Sequence, residues 1–330
     1  MPELKRTILF ASLALAAVQV AFAPAVAEKK PVVPAVAETP KNVTPAPFIV
    51  RDPAFAAYDD GRFQTALELA KKDAANGEPQ ANTLIGRIYA EGLGVPLNLK
   101  EAAKWYATGD KLGDKEASFA LAVLLAEGRG IAKNTKQAAE LFEKAAKQNH
   151  ALAAYNLALI YVSGDGRPED AARAAALLET AASSGISKAQ YDLGTLFRSG
   201  QGVKRSDREA AYWIGLAADA GLSDAEAEYA IMLFNGIGLD KDEKGAVRYF
   251  RSAALKGNLV AENRLARLYF AGAGVTKDEV EGAKWHLISR AAGISDFQLD
   301  LLLSRLTPEQ RKRADEGAAM AREALPGNGF

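Results

Sequence analysis

Residues 81–113 read ANTLIGRIYAEGLGVPLNLKEAAKWYATGDKLG, and the punctuation of this stretch decides the fold. Ala81, Ile85, Gly86 and Tyr89 stand at offsets of 0, 4, 5 and 8, which fall on one face of a helix. Gly92 and Gly94 end that helix, because glycine readily takes the left-handed backbone conformation a helix exit needs. Asn98 then offers a side-chain acceptor to the free N–H groups of a second helix. Glu101, three residues on, has the spacing of a capping box. Trp105 lies on the second helix, and Gly113 ends it. The stretch is a helix-turn-helix unit.

The same punctuation returns every 36 residues, six times, without insertion or deletion. The glycine pairs are Gly92/Gly94, Gly128/Gly130, Gly164/Gly166, Gly200/Gly202, Gly236/Gly238 and Gly272/Gly274. The first helix of each unit, helix A, carries Ala81, Ala117, Ala153, Ala189, Ala225 and Ala261 in one column. Next come a large residue (Ile85, Leu121, Leu157, Leu193, Tyr229, Leu265) and a small one (Gly86, Ala122, Ala158, Gly194, Ala230, Ala266). Small residues let a neighbouring helix approach, and large ones fill the space beside them. Helix B is opened by Asn98, Asn134, Asp170, Ser206, Asp242 and Asp278, all good capping residues. Four of the six residues three places later are Glu or Gln, as a capping box prefers: Glu101, Gln137, Glu209 and Glu281. Helix B stops near Gly113, Asn149, Gly185, Gly221, Gly257 and Gly293, asparagine being the residue that best tolerates that conformation after glycine.

These columns predict an all-α chain, an α/α solenoid or superhelix of six repeats at 81–116, 117–152, 153–188, 189–224, 225–260 and 261–296. Residues 54–80 read as a degenerate N-terminal repeat, with Ala66, Leu69 and Gly77 matching helix B columns. Residues 297–330 read as C-terminal capping helices. There Phe297 and Leu301 continue the helix A columns, and Thr307-Pro308-Glu309-Gln310 starts a final, more polar helix.

The order Ala81, Ile85-Gly86, Tyr89, Gly92-Leu93-Gly94-Val95, Ala102, Trp105-Tyr106, Gly113 resembles the Sel1-like repeats, relatives of the tetratricopeptide repeats. The resemblance covers roughly residues 54–297. It implies a right-handed superhelix with the A helices on its concave side. It also implies an adaptor in signalling or assembly, exported bacterial members commonly binding other proteins. Exported members resemble periplasmic repressors that restrain sensor kinases controlling exopolysaccharide in rhizobia. Cysteine-rich members have been described as penicillin-binding or β-lactamase-like. This chain has no cysteine, so that activity is not carried over.

The N-terminus reads as an export leader over residues 1–27. Lys5 and Arg6 precede an apolar run from Ile8 to Ala23, and small residues follow. The run has 16 residues, short of the roughly 20 that span a bilayer. Ala21-Phe22-Ala23 is followed by Pro24, which suits a protease cleft poorly, so cleavage is expected after Ala27. Residues 28–53, with Pro31, Pro34, Pro40, Pro45 and Pro47, read as an extended disordered linker. A periplasmic or secreted location follows, with membrane contact only through the transient leader.

Charged residues make up 25% of the 330 and cancel to zero, which argues against a nucleic-acid partner needing a basic excess. The absence of cysteine removes disulfides, thiolate metal sites and a cysteine nucleophile. The two histidines, His150 and His286, fall in different columns, and neither has the companions of a metal site or a triad. His286 sits where other repeats carry Tyr106, Phe142 and Phe250, and so reads as a packing residue. Asp170, Asp242, Asp278, Glu101, Glu209 and Glu281 are accounted for by capping. The sequence therefore assigns no catalytic residue, metal or cofactor, and the chain is not read as an enzyme.

A protein or peptide partner is the expectation. Phe119, Tyr155 and Tyr191 occupy one helix A column in consecutive repeats and could anchor a guest, or could pack between repeats. Arg87, Arg198 and Arg267, with Lys188 nearby, lie on helix A faces that tetratricopeptide relatives use for ligands. The function expected is an exported adaptor or regulator that binds its partner on the concave face, in envelope signalling. The alternative is a cell-envelope accessory protein or enzyme that binds or acts on peptidoglycan or another glycan.

Overall fold

A computed structural model describes residues 52–324. The expected leader, and the linker up to residue 51, lie outside the described residues. Sixteen helices fill the described chain. An opening pair, α1 (Pro53–Asp59) and α2 (Phe63–Ala75), precedes the repeats. The A helices are α3 (Pro79–Glu91), α5 (Lys115–Glu127), α7 (Ala151–Ser163), α9 (Ser187–Ser199), α11 (Ser223–Asn235) and α13 (Leu259–Ala271). The B helices are α4 (Leu99–Lys111), α6 (Thr135–Ala146), α8 (Ala171–Ser183), α10 (Asp207–Asp219), α12 (Glu243–Leu255) and α14 (Glu279–Ala291). Helices α15 (Phe297–Leu303) and α16 (Pro308–Ala324) close the chain.

The described residues divide into two compact units, with the boundary between Ala138 and Ala139. Each is an α/α solenoid in which consecutive helices pack in pairs and pairs stack on pairs. In the first unit, Ala81, Ile85, Ala117 and Ala122 are buried along the seams. In the second, the same columns bury Ala153, Ala189, Ala225, Ala261, Leu193 and Leu265. Helix B contributes the ring beside its tryptophan column: Tyr106 in the first unit, Phe142 and Phe250 in the second. These apolar areas supply the main driving force, at about 25 cal/mol per Å² removed from water.

The six predicted caps form as expected. Asn98 accepts from the Glu101 N–H at 3.0 Å, Asp170 from Arg173 at 3.0 Å, and Asp278 from Glu281 at 2.9 Å. Asn134, Ser206 and Asp242 do the same for Gln137, Glu209 and Gly245. The capping boxes, however, are only half made. The N–H of each capping residue is already taken by the carbonyl of a large helix A residue, such as Tyr89 for Asn98 at 2.8 Å and Tyr269 for Asp278 at 3.0 Å. That bond ties the start of helix B back to helix A. The glutamates turn elsewhere: Glu281 binds Lys284 and the Trp285 indole N–H. A reciprocal box does form at the last helix, where Thr307 N–H donates to Gln310 Oε1 at 2.9 Å and Gln310 N–H to Thr307 Oγ1 at 3.2 Å.

The two glycines of each pair do different work, as Gly236 and Gly238 illustrate. Gly236 is the left-handed cap of α11, its N–H side closing on Met232. Gly238, also left-handed at φ 74°, lies so close to the carbonyl of Asp207 that a Cβ there would overlap the oxygen. Asp207 opens the B helix of the preceding repeat. The second glycine is thus an inter-repeat contact as well as a turn.

The C-terminal end departs from the sequence pattern. Phe297 and Leu301, expected in the buried helix A columns, are 81% and 44% exposed. The buried residues of α15 are Leu299 and Leu303, two places later. The cause is a two-residue insertion. Earlier A helices are capped by the residue directly after the helix B stop, as Asn258 follows Gly257, whereas Asp296 stands three residues after Gly293. Helix α16 then packs against α14 through buried Ala314 and Ala318.

Candidate functional site

The helix A position after each seam alanine is buried in every repeat: Asn82, Ser118, Ala154, Gln190, Glu226 and Glu262. Glu226 is partnered through Oε1, which accepts from Ser252 Oγ and Lys256 Nζ, both at 2.7 Å, while its Oε2 has no hydrogen-bond partner. One period later those partners become Ile288 and Ala292. Glu262 thus lacks the lysine that pairs with Glu226, its Oε2 has no hydrogen-bond partner, and burial pushes its carboxyl up to about 7.

The next column forms links between successive A helices. In the first unit Thr83 Oγ1 donates to Asp114. In the second, Tyr155 Oη donates to Asp192 at 3.1 Å, Tyr191 Oη to Glu228 at 3.1 Å, and Asn263 Nδ2 to Asp296 at 3.0 Å. Burial raises the Asp192 carboxyl to about 6, against the opposing pull of the Tyr155 hydroxyl and Lys188. Both tyrosine hydroxyls are likewise held above their ordinary value, chiefly by burial.

The sequence-selected residues fall into separate groups. Tyr191 and Arg198 converge on Glu228, while Tyr155 and exposed Lys188 flank Asp192. Arg267 is engaged with Asp296 at 2.5 Å and with Gln298 Oε1 at 2.9 Å. In the first unit Phe119 is half-buried on α5. There Arg87 pairs with Glu91 at 2.9 Å and lies over the Tyr58 ring. Both histidines serve structure. His150 Nδ1 caps α7 by accepting the Ala153 N–H at 3.1 Å, and buried His286 contacts Asp300 through Nε2 at 2.9 Å. Among the described residues no group of three His, Cys, Asp or Glu is placed to hold a metal ion.

Two clefts of about 260 Å³ each flank α13. The first, toward α11, has an apolar lining from Ile231, Phe234, Phe250 and Leu268. The second, toward the α14–α15 connection, includes Leu259, Val260 and Ile294. Arg264 and Arg267 line both. Sequence reasoning selected Arg267 and missed Arg264, Asp192 and Glu228. The last three share a column with Leu84, Ala120 and Asn156, in which acid changes to base after Glu228; that reversal was the available signal.

The Sel1 repeat family matches at residues 79–109, 115–150, 151–186, 187–222, 223–258 and 259–293, most of the chain. The chain belongs to the Sel1 repeat family. Sel1 repeat chains typically mediate protein–protein interactions. Among solved structures, a Sel1 repeat protein from Oxalobacter formigenes is similar at 27% identity and a TM-score of 0.65, over 72% of this chain and 98% of that one. A protective antigen present in uropathogenic Escherichia coli strains, displaying an SLR fold, is 24% identical with a TM-score of 0.58, over 83% of this chain and 68% of its own. The second likeness is one of fold. No curated protein matches the chain.

Proposed function

We propose that this Sel1 repeat chain is an exported scaffold that holds a segment of a partner protein on the A-helix face that carries Tyr155 and Tyr191, as an adaptor or regulator in envelope signalling. The observation that carries this reading is the division of the A helices. Seam positions are buried to within a few per cent, as with Ala189 and Leu193 or Ala261 and Leu265, whereas Phe119, Tyr155 and Tyr191, two places after the seam alanines, are only half-buried, and Lys188 and Arg198 are exposed. Tyr155, Tyr191, Lys188 and Arg198 in the second unit supply such mixed contacts, which suit a protein partner better than a polyanion. Phe119 and Arg87 do so in the first unit. Export rests on Lys5, Arg6, the Ile8–Ala23 run and Ala25-Val26-Ala27.

The test is crosslinking in cells from photoreactive residues placed at 155 and 191, followed by identification of what is captured. A defined protein partner is the expected result, and its affinity pull-down by the unlabelled chain should be lost on combining Tyr155→Ala with Tyr191→Ala in a chain that still melts cooperatively. Recovery of no protein, together with saturable binding of the purified chain to cell-wall fragments, would overturn it. N-terminal sequencing of the exported chain should begin at Glu28.

A further inference from the structure

The α11–α13 cleft interrupts a pattern that the two preceding repeats maintain. From α7 to α9 and from α9 to α11, a tyrosine bridges to an acid on the next helix: Tyr155 to Asp192 and Tyr191 to Glu228. One repeat later both partners have changed. Ala227 stands in the tyrosine column and Arg264 in the acid column. The alanine cannot reach across, so no such bridge joins α11 to α13. One turn further along, between Ile231 and Phe234 on α11 and Arg264 and Leu268 on α13, the cleft opens.

The charges around the cleft are unequal. Arg267 is occupied by Asp296 and Gln298. Arg264 is exposed and has no acid within ion-pair distance among the described residues. An apolar slot of about 260 Å³ therefore lies beside an uncompensated guanidinium, whose planar fork matches a carboxylate.

We propose that this cleft takes an acidic–apolar segment of a partner protein, its apolar side chain entering between Ile231, Phe234 and Leu268 and its neighbouring carboxylate pairing with Arg264. The assignment rests on the scaffold reading and narrows it to one site and one ligand chemistry. Charge complementarity selects the occupant: an uncharged apolar segment would fill the slot but leave Arg264 as it is.

The experiment uses the exported chain and three fluorescein-labelled peptides with amidated ends. They are identical Gly/Ser sequences carrying a central Phe-Glu, Phe-Gln or Ala-Glu pair, and binding is read by fluorescence anisotropy. The Phe-Glu peptide should bind saturably, and each of the other two about fivefold more weakly or worse, the scale of one charged or apolar anchor. Arg264→Ala should remove the preference for Glu over Gln while leaving the helical circular dichroism unchanged. Arg264→Lys should restore part of it. Equal binding of the Glu and Gln peptides, an unaffected Arg264→Ala variant, or no saturable binding of any peptide would overturn the proposal. So would concentration-dependent self-association abolished by Arg264→Ala, which would assign the cleft to a second copy. Failure here with a partner still captured from positions 155 and 191 would sink the cleft and leave the scaffold standing. Failure of both would sink both.

Discussion

Glu262 gives the most direct test of how this core is built. Its carboxyl is 1% exposed and lacks the Ser252 and Lys256 partners that serve Glu226 one repeat earlier. Burial moves it from an ordinary 4.5 to about 7. Between those values the folded chain holds a proton that the unfolded chain has released, so stability falls as pH rises. No penalty exists below 4.5; it grows through the interval and is complete above 7. At roughly 1.4 kcal/mol per pH unit, the full penalty is on the order of 3 kcal/mol. Glu262→Gln keeps the shape and removes the titration. The variant and parent should be compared by urea unfolding from pH 4.5 to 8, followed by tryptophan fluorescence and circular dichroism. At pH 4.5 the two should differ by a constant that reflects only amide against carboxylic acid. By pH 8 the variant should have gained about 3 kcal/mol on its parent relative to that constant. A difference that stays flat across the range would refute the claim that this acid is buried without a partner.

Gly238→Ala should destabilise by about 2 kcal/mol or more, combining left-handed strain with overlap on the Asp207 carbonyl, and should lower the thermal midpoint. Asp278→Ala removes the acceptor for the Val280 and Glu281 N–H groups and should cost about 1 kcal/mol in denaturant melts. Tyr155→Phe removes the donor to Asp192, whose folded value is already up at about 6, and should raise it further. The resulting loss, about 1–2 kcal/mol at pH 8, should shrink as pH falls toward 4 and the carboxyl becomes neutral in both states.

Much of this architecture was legible because it is local. Glycine at 92, 128, 164, 200, 236 and 272 can end a helix by its own conformational freedom, and Asn98 or Asp278 can cap one through its own side chain. The capping boxes failed for a non-local reason: the N–H of Asn98 was claimed by Tyr89, a residue on the other helix of the pair. Phe297 was misplaced because its column was counted from the seam alanines, while Ile294 and Ser295 add two residues that shift the last turn. The candidate site was legible only in fragments. Arg267 was found, but its engagement with Asp296 and Gln298 was not, because those partners lie across a helix connection.

The sequence by itself determined the repeat, its length, its helix starts and stops, and the small-residue seams, since each depends on residues within one helical hairpin. Tertiary structure alone decided which polar groups face each other across repeats. That is why Glu226 pairs with a lysine and Glu262 does not, and why the arginine at 267 is engaged with Asp296 while that at 264 has no acid within ion-pair distance among the described residues. Pairing across a seam depends on distances between separate helices, and a one-dimensional period cannot carry them.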